Sequence, residues 1–214
     1  MATKRGVKKT ANNTKTNTLC SAARAARMPA QIHPMLATLV DDPFSDREWI
    51  FETKWDGFRS ICFVSGGKAR FVSRNQLEMT QQYPELHEVA KKIAAREAIL
   101  DGEIVALDEH GMPRFQLLQP RVGRKSGLDA LRGKGQIVYF VFDLLYADGY
   151  DLRNCAVVER KAKLADILRP SNWPGFLSRD RKISPRRDDR ETCSEQVCAE
   201  TQHRLVKGEN DNAR

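Results

Sequence analysis

The stretch IFETKWDGFR, residues 50–59, decides how the chain is interpreted. Its first half alternates polar and apolar residues, as a β-strand does, and its Asp-Gly pair is typical of a tight turn before a second strand. Glu52, Lys54 and Asp56 share one face of such a strand, and the residues between them face the other way. A lysine nucleophile needs to be exposed and held among acids in this manner. A surface lysine beside a hairpin turn gives the same short pattern, so the stretch alone leaves both interpretations open.

Length and charge narrow the function classes. The chain has 214 residues, of which 41% are hydrophobic, enough for one sizeable core with tails. The net charge is +8, and residues 1–40 hold seven basic residues and no acidic one. Such an arm is typical of nucleic-acid contact or of a solvated linker. No apolar run approaches a membrane span of about 20 residues, and the N-terminus lacks the apolar region of a secretory signal.

The five cysteines are odd in number and lie scattered at positions 20, 62, 155, 193 and 198. This pattern favours free thiols in a reducing compartment. Cys193, Cys198 and His203 have a loose metal-ligand spacing, but a structural zinc site needs a fourth ligand and usually tighter pairs. We therefore interpret that segment as free of metal.

Composition divides the chain into three parts. Residues 1–32 are rich in Lys, Arg, Ala, Thr and Asn and are interpreted as a basic disordered arm or linker. Residues 33–170 carry the strand and helix patterns and form the folded domain. Residues 171–214 are polar, show no convincing helix or strand period, and are predicted to be a disordered tail.

The middle part mixes strand and helix patterns. A hairpin is predicted over about residues 48–64, and Pro84 suits the first turn of a helix. The further predicted strands are 69–74, 98–107 and 137–145, and the helices are 84–96, a short start at 115–119, and 159–169.

Four short motifs stand out: Lys54-Trp55-Asp56-Gly57-Phe58-Arg59, Ser73-Arg74-Asn75, Leu100-Asp101-Gly102-Glu103 and Val141-Phe142-Asp143-Leu144-Leu145. Each is weak alone. In this order and at these spacings they resemble the nucleotidyltransferase motifs of ATP-dependent DNA ligases. Pro34-Met35-Leu36-Ala37 resembles the start of the ligase module in bacterial end-joining ligases of the ligase D type, and the basic arm resembles the linker before it. The resemblance covers about residues 33–170.

The resemblance implies a fold and a set of partners. The fold would be α+β, with antiparallel sheets and packed helices forming a nucleotidyltransferase core, an ATP-grasp-like DNA ligase adenylation core that lacks the C-terminal OB-fold. The implied cofactors are ATP and Mg²⁺. The implied substrate is double-stranded DNA with nicks or ends, in repair and recombination by non-homologous end joining, with a DNA end-binding protein as partner. We expect a monomer in the bacterial cytoplasm, associated with the nucleoid and not with a membrane.

The resemblance also assigns the nucleophile. Lys54 would attack the α-phosphorus of ATP and expel pyrophosphate, leaving lysyl-AMP. A free lysine amine has a pKa of ~10.4, and nearby cations such as Mg²⁺ and Arg59 favour its neutral form. Glu52 is implied to lie by the adenine end of the pocket; its spacing alone would also suit a partner that holds the lysine in place.

Two arginines are implied to bind the nucleotide. Arg59 and Arg74 would contact phosphate or ribose oxygens, because a guanidinium matches an oxyanion with paired donors. Ordinary surface salt bridges are the alternative for both.

A carboxylate and an aromatic ring complete the implied site. Glu103 would lie near the ribose and bind Mg²⁺ directly or through water, although Asp101 shares its face and could be the group that matters. Gly102 is expected to let the ligand approach the strand closely. Phe142 would stack on adenine, whereas an aromatic in an apolar strand is otherwise a core residue.

The sequence departs from the family pattern after these motifs. The next motif is Glu-Gly with a lysine three residues later, and the chain contains no Glu-Gly pair. Lys161 and Lys163 have the Lys-x-Lys spacing of the motif after that, but they lie in a predicted helix, so we assign them no phosphate role. The polar tail is too short for a five-stranded OB-fold barrel. We therefore expect a truncated adenylation domain whose tail is unrelated sequence.

Three functions remain open at this point. The leading one is a partial ATP-dependent DNA ligase that forms lysyl-AMP and transfers AMP to the 5′-phosphate of a DNA break, for attack by the 3′-hydroxyl. The second is a catalytically inactive remnant that binds nucleotide or DNA. The third is a capping-type or RNA-ligase nucleotidyltransferase, which shares Lys-x-Asp-Gly, but the context around Trp55 and Asn75 argues against it.

Overall fold

The computed structural model describes Cys20 and residues 22–36, 49–122, 135–168, 176–178 and 203–207. Its strands are β1 (Arg24–Ala25), β2 (Trp49–Thr53), β3 (Phe58–Ser65), β4 (Lys68–Ser73), β5 (Glu97–Leu107), β6 (Gln136–Ala147), β7 (Tyr150–Asp151), β8 (Phe176–Ser178) and β9 (His203–Lys207). The helices in these residues are α1 (Val157–Ile167) and the 3₁₀ helices Thr80–Gln82, Pro84–Lys92, Phe115–Leu117 and Gln119–Arg121. None of these helices has the length and apolar character needed to span a membrane.

Most strands form one large sheet. Its order is β1-β7-β6-β5-β3-β4, and β8 also pairs with β6. All of these pairs are antiparallel except β6 with β8. The long strands β5 and β6 lie at its centre because most of their residues are apolar and nearly all are buried, on both faces. This antiparallel sheet with few helices confirms the predicted α+β fold class.

One face of the large sheet, the helix face, packs against helices. Leu86 and Val89 come from the 3₁₀ helix 84–92, and Leu164 and Ile167 come from α1. They share a core cluster with residues that alternate along the central strands, namely Leu100, Ile104, Ala106, Ile137, Tyr139 and Val141. The apolar residues at helical spacing therefore pack against the apolar residues that alternate along the strands, as the sequence patterns predict.

The opposite face, the arm face, is partly covered by residues 22–36, which we call the arm segment. Ile32 is buried and packs in a cluster with Ile61 and Phe63, and Met28 and Met35 lie against that cluster. β1 of the arm segment pairs with β7, and the Tyr146 hydroxyl donates to the Ala26 carbonyl at 3.2 Å. Residues 22–32 thus belong to the folded body, although their composition predicts disorder.

A disulfide joins the start of this region to the body. Cys20 is bonded to Cys155, which lies just before α1 and is fully buried. The prediction of free thiols is wrong for this pair, because docking of the arm brings together two cysteines that are 135 residues apart. Cys62 is a free buried thiol, and burial raises the pKa of its side chain. Cys193 and Cys198 lie outside the described residues, so their interpretation stays a prediction.

The predicted hairpin is wrong in its pairing. Strands do form on both sides of Asp56-Gly57, but β2 pairs with β9 in a separate two-stranded sheet, while β3 pairs with β4 and β5. A Cβ at position 57 would lie 2.3 Å from the carbonyl oxygen of Ile104. Glycine is therefore needed here for the close approach to β5.

The other predicted elements form close to their expected limits. β4, β5, β6 and α1 all appear where the sequence predicts them. The predicted helix over 84–96 is a 3₁₀ helix that ends at Lys92, and its buried Leu86 and Val89 are three residues apart, the spacing that a 3₁₀ helix aligns. β8 and β9 lie within 171–214, where the sequence shows no strand period.

Candidate nucleotide site

A band of polar and aromatic side chains interrupts the arm face. Arg59 of β3 and Glu103 of β5 are register partners, and Asp101 lies two residues from Glu103 on the same face. With Phe142 of β6, these residues form what we call the polar strip. Apolar clusters flank it, one containing Ile61, Phe63 and Ile99, and the other containing Val105, Leu107, Val138 and Phe140 with Trp55 packed against them.

Arg59 is held at the centre of the strip by a bidentate ion pair. Its Nε donates to Asp101 Oδ1 at 2.6 Å and its Nη2 to Oδ2 at 2.7 Å. The Asp101 side chain is fully buried and that of Arg59 is 10% exposed. Burial acts to lower the pKa of the Arg59 guanidinium, but the charges of Asp101, Glu103 and Glu52 outweigh it and leave the pKa above its ordinary value. The pair is therefore buried and permanently charged, unlike an ordinary surface salt bridge.

Arg59 also connects the strip to its surroundings. Its Nη2 donates to the carbonyl oxygen of Met35 in the arm segment at 3.1 Å. Its guanidinium carbon lies 4.2 Å from the centroid of the Phe142 ring, at the distance of a cation–π contact. The arginine thus supports one side of the aromatic ring while the arm segment and Asp101 hold the guanidinium in place.

Phe142 lies in a β-bulge. Asp143 pairs with Asp101 and Val141 pairs with Gly102, so the register of β5 and β6 passes over Phe142. A bulge re-aims a side chain out of the regular alternation, and such bulges are common beside functional sites. The ring is half-buried and has Arg59 on one side, so it offers a surface on which a flat base can stack.

Two consecutive residues of α1 hold β6 at this bulge. Arg160 donates from Nε and Nη2 to the two carboxylate oxygens of Asp143, each at 2.8 Å. Lys161 Nζ donates to the Phe142 carbonyl oxygen at 2.7 Å and lies 2.6 Å from Glu52 Oε1. Asp143 therefore serves to dock the helix, and Lys161 links the bulge to β2.

The structure brings together most of the sequence-predicted site residues. Glu52 pairs with Lys161, and its charge acts on Arg59, so it lies beside the strip with Glu103 and Phe142. Lys54 follows Glu52 by two residues; it is exposed and lies just beyond the end of β2.

Arg74 lies at the same end of β3 as Arg59. It is exposed and directly follows Ser73, the register partner of Ser60. The Ser73 hydroxyl accepts from the backbone amides of Asn75 and Leu77, which shapes the turn after β4. The Ser-Arg-Asn motif is therefore a turn that presents its arginine to solvent near the strip.

The expectation for Gly102 is wrong. A Cβ at this position would lie 2.5 Å from the Phe140 carbonyl oxygen and 2.6 Å from a ring carbon of Tyr139. The space left by the glycine is thus filled by the Tyr139 ring, which is fully buried, and its hydroxyl donates to the Ser60 carbonyl oxygen at 2.9 Å. Gly102 faces the protein interior, and no ligand can use that space.

Lys161 is the functional candidate that sequence reasoning missed. Its contacts depend on how α1 packs against β6, which no local pattern specifies. A signal was nevertheless present, because Val157, Lys161 and Leu164 recur at i, i+4 and i+7 on one helix face. Val157 and Leu164 are buried, so a lysine between them must reach a polar partner.

The carboxylate oxygens of the polar strip are ligands of the kind that Mg²⁺ prefers. Both oxygens of Asp101 accept from Arg59, so Glu103 is the better candidate ligand. Mg²⁺ is commonly held by one or two carboxylates together with substrate phosphates and water, which fits this arrangement. Within the described residues, the ligand atoms of Cys20, Cys155 and Glu159 also lie within 4.8 Å of one another. The two sulfurs of this group are joined in the disulfide, so they do not offer a metal site.

Comparison with known proteins agrees with this site. Residues 34–201 match the family described as "ATP dependent DNA ligase domain". The chain is 39% identical over 141 residues to the multifunctional non-homologous end joining protein LigD of Pseudomonas aeruginosa, covering 66% of this chain and 16% of that protein. It is 34% identical over 154 residues to the LigD protein of Mycolicibacterium smegmatis, covering 69% and 19%.

A solved structure shows the same fold. The ligase domain of M. tuberculosis LigD superimposes with a TM-score of 0.52 at 31% sequence identity, covering 65% of this chain and 46% of that one. The chain spans 16% and 19% of the two curated relatives described above, so it corresponds to a part of each. The family match covers well over half of the chain and includes the whole polar strip. The chain therefore belongs to the family of ATP-dependent DNA ligase domains.

Proposed function

We propose that the polar strip binds ATP and that Lys54 becomes covalently linked to AMP, the first step of DNA ligation. The observation that carries this proposal is the support given to Phe142. A buried Arg59–Asp101 pair covers one side of a half-buried ring in a bulge, with Glu52 and Glu103 alongside. Such an arrangement suits a site for a flat base with a hydrogen-bond-donor edge, attached to an anionic phosphate chain.

Each residue of the strip has a role in this proposal. Phe142 presents the side of its ring away from Arg59 to adenine. Glu52 has acceptor capacity beyond its pair with Lys161, because a carboxylate offers about four lone-pair sites, and it accepts from the exocyclic amine of adenine. Arg74 donates to ribose or phosphate oxygens from the turn after β4. Arg59 acts mainly by supporting Phe142 and by its charge, because its Nε and Nη2 are engaged.

The covalent step uses the Lys54 amine in its neutral form. The Lys54 ammonium first gives one proton to solvent, and the neutral nitrogen attacks the α-phosphorus. An N–P bond forms as the bond between the α-phosphorus and the bridging oxygen breaks, pyrophosphate leaves with the electron pair of that bond, and the nitrogen releases its second proton to solvent to give the phosphoramidate. Glu103 would hold Mg²⁺, which supplies neutralisation of phosphate charge when bound.

The later steps and partners belong to the same proposal. AMP passes from Lys54 to the 5′-phosphate at a nick or end in double-stranded DNA, and the 3′-hydroxyl then displaces AMP. The names of the LigD relatives support a role in end joining, where a DNA end-binding protein is the expected partner. The basic residues within 1–40 contact the DNA backbone. We place the protein in the cytoplasm, at the nucleoid, as a monomer.

The test is direct labelling of the lysine. The full chain is incubated with α-labelled ATP and Mg²⁺ and run on a denaturing gel, with Lys54→Ala as the matched control. An acid-labile label on the wild type, absent from Lys54→Ala, is the expected result. A folded wild-type protein that takes no label contradicts the proposal and favours the non-catalytic remnant. A label from GTP but not from ATP would favour a capping-type nucleotidyltransferase.

A further inference from the structure

β6 pairs with β5 along one edge, and along its other edge the strand pairing is interrupted next to Phe142. β8 pairs with residues Tyr139–Val141 of β6, and β7 pairs with Tyr146 and Ala147. Residues 142–145 lie between these two pairings, and α1 packs there. Arg160 binds the side chain of Asp143, and Lys161 donates to the carbonyl oxygen of Phe142. Two neighbouring residues of the helix thus take the place of a strand beside the bulge.

Lys161 also reaches a second sheet. Its Nζ lies 2.6 Å from Glu52 Oε1, and the two side chains are 14% and 16% exposed. Glu52 belongs to β2, whose strand partner is β9, whereas Phe142 belongs to the large sheet. One ammonium group therefore joins the strand that leads to Lys54 with the strand that carries the aromatic ring.

The charges around this contact explain why a cation is needed. Glu52, Asp101 and Glu103 all act on Arg59, so three carboxylates surround one guanidinium. Lys161 supplies a second positive charge to this group and pairs with Glu52. Without it, Glu52 would be repelled by the other two carboxylates, and the Phe142 carbonyl would lose a donor. Both effects would favour a position of β2 further from the bulge.

We propose that Lys161 is a positioning residue that fixes the Lys54 segment against the Phe142 bulge. The proposal extends the proposed function, because it assigns how the nucleophile is placed relative to the base, but the docking of β2 does not itself require that Lys54 reacts. A loss of docking would leave the ring and its supports in place while the attacking nitrogen is misplaced. It should therefore lower the rate of adduct formation more than the affinity for ATP.

The test compares three variants of the full chain. Lys161→Met keeps an unbranched side chain up to the ε position and removes the ammonium group, and Lys161→Arg keeps the charge. Lys163→Met removes a lysine from the same helix two residues later. We expect Lys161→Met to slow single-turnover labelling by about 10–100-fold, because misplacement by about 1 Å can cost that much. The ATP concentration for half-maximal rate should rise by less, about 2–10-fold, because the mutation leaves the Phe142 ring and Arg59 in place and weakens only the contact of Glu52 with adenine.

The controls separate positioning from a merely structural role. Lys161→Arg should restore most of the rate, and Lys163→Met should match the wild type. In a Glu52→Gln background, Lys161→Met should cause a smaller further loss than it does in the wild type, because the ion pair with Glu52 is already gone and only the contact with the Phe142 carbonyl remains to be lost. A Lys161→Met protein that labels at the wild-type rate overturns the proposal, as does a loss of rate that is equally large in Lys163→Met.

A second readout keeps this proposal distinct from the proposed function. Hydrogen–deuterium exchange of residues 51–57 should rise in Lys161→Met and stay at the wild-type level in Lys163→Met, with exchange in β3 and β5 unchanged. If the wild type takes no label but exchange rises as stated, the proposed function fails and the positioning role stands. Unchanged exchange in Lys161→Met overturns the positioning role whatever the labelling shows.

Discussion

The two faces of the large sheet are built differently from the same strands. On the helix face, β5 presents Leu100, Gly102, Ile104 and Ala106 to a continuous apolar core. On the arm face, the alternate residues of β5 include Asp101 and Glu103 between apolar Ile99 and Val105. The residues that β5 contributes to the helix face are those that a buried apolar core requires. On the arm face, the fully buried carboxylate of Asp101 takes a position where an apolar side chain would pack.

This difference teaches which face serves stability and which serves function. A buried ion pair gives little or no net stability compared with apolar residues of similar volume, because desolvation offsets the attraction. The Arg59–Asp101 pair is therefore poorly explained by folding, and its position under Phe142 indicates a site. The predictions below test this contrast.

The largest expected effect comes from leaving Arg59 buried without its partner. Asp101→Ala should lower the free energy of unfolding by about 3–5 kcal/mol, the usual cost of an unpaired buried charge. Urea denaturation followed by circular dichroism measures it. Replacing both residues, with Arg59→Met and Asp101→Leu, should restore stability to near the wild type but abolish labelling of Lys54. If the double variant still labels normally, the strip is not the nucleotide site.

The next effect concerns the covalent attachment beside the arm segment. Reducing the Cys20–Cys155 bond, or replacing Cys20 with Ser, should cost about 2–4 kcal/mol of stability. Thermal unfolding with and without dithiothreitol measures it. The Cys20→Ser protein should no longer respond to the reductant. A wild-type melting temperature that is insensitive to dithiothreitol would mean that the arm segment docks without help from the bond.

Overpacking tests the helix face. Gly102→Ala places a Cβ against the Phe140 carbonyl oxygen and the Tyr139 ring, so stability should fall by about 1–3 kcal/mol. A companion change, Tyr139→Phe, removes only the hydroxyl that donates to the carbonyl oxygens of Ser60 and Leu100 and should cost about 0.5–1.5 kcal/mol. Chemical denaturation of the two variants side by side gives both values. A Gly102→Ala protein as stable as the wild type would show that the space is not filled by Tyr139.

The smallest effect lies at the edge where the arm segment attaches. A hydrogen bond from Arg153 holds the pKa of Asp151 below its ordinary value, against the opposing effect of partial burial. A lowered folded-state pKa contributes stability that is present above the unfolded value near ~3.9 and is lost as the pH falls through the folded value. Arg153→Ala should remove this contribution, which is below about 1 kcal/mol because the Arg153 side chain is 43% exposed and solvent screens the pair. The free energy of unfolding of the wild type and of Arg153→Ala is measured at pH 7 and at pH 3. If the difference between the two proteins is the same at both pH values, the Asp151–Arg153 pair does not contribute to stability in this way.

Local patterns were sufficient for elements whose burial follows a simple period. β6 is a long and mostly apolar run, β5 has apolar residues on both sides of its Asp-Gly-Glu, and α1 has apolar residues at helical spacing, so their limits are predictable within about two residues. The motif residues Glu52, Arg59, Glu103 and Phe142 also come together as expected.

Features that depend on distant partners were not predictable. β2 pairs with β9, which lies about 150 residues later, and nothing in residues 50–59 specifies that partner. The arm segment has the composition of a linker, yet it packs because Ile32 and Met35 find an apolar surface and Cys20 finds Cys155. The bulge at Phe142 and the two contacts of Lys161 likewise arise only from the packing of α1 on β6.

The bond between Cys20 and Cys155 has a mechanical consequence. If the chain is stretched from its two ends, tension passes from Cys20 directly to Cys155, which lies 135 positions further along the chain, and bypasses the residues between them. Every strand from β1 to β7, and with them the whole polar strip, lies inside this shielded loop. In a single-molecule pulling experiment the oxidised chain should therefore extend less than the reduced one, by roughly 450 Å at about 3.3–3.6 Å per hidden residue.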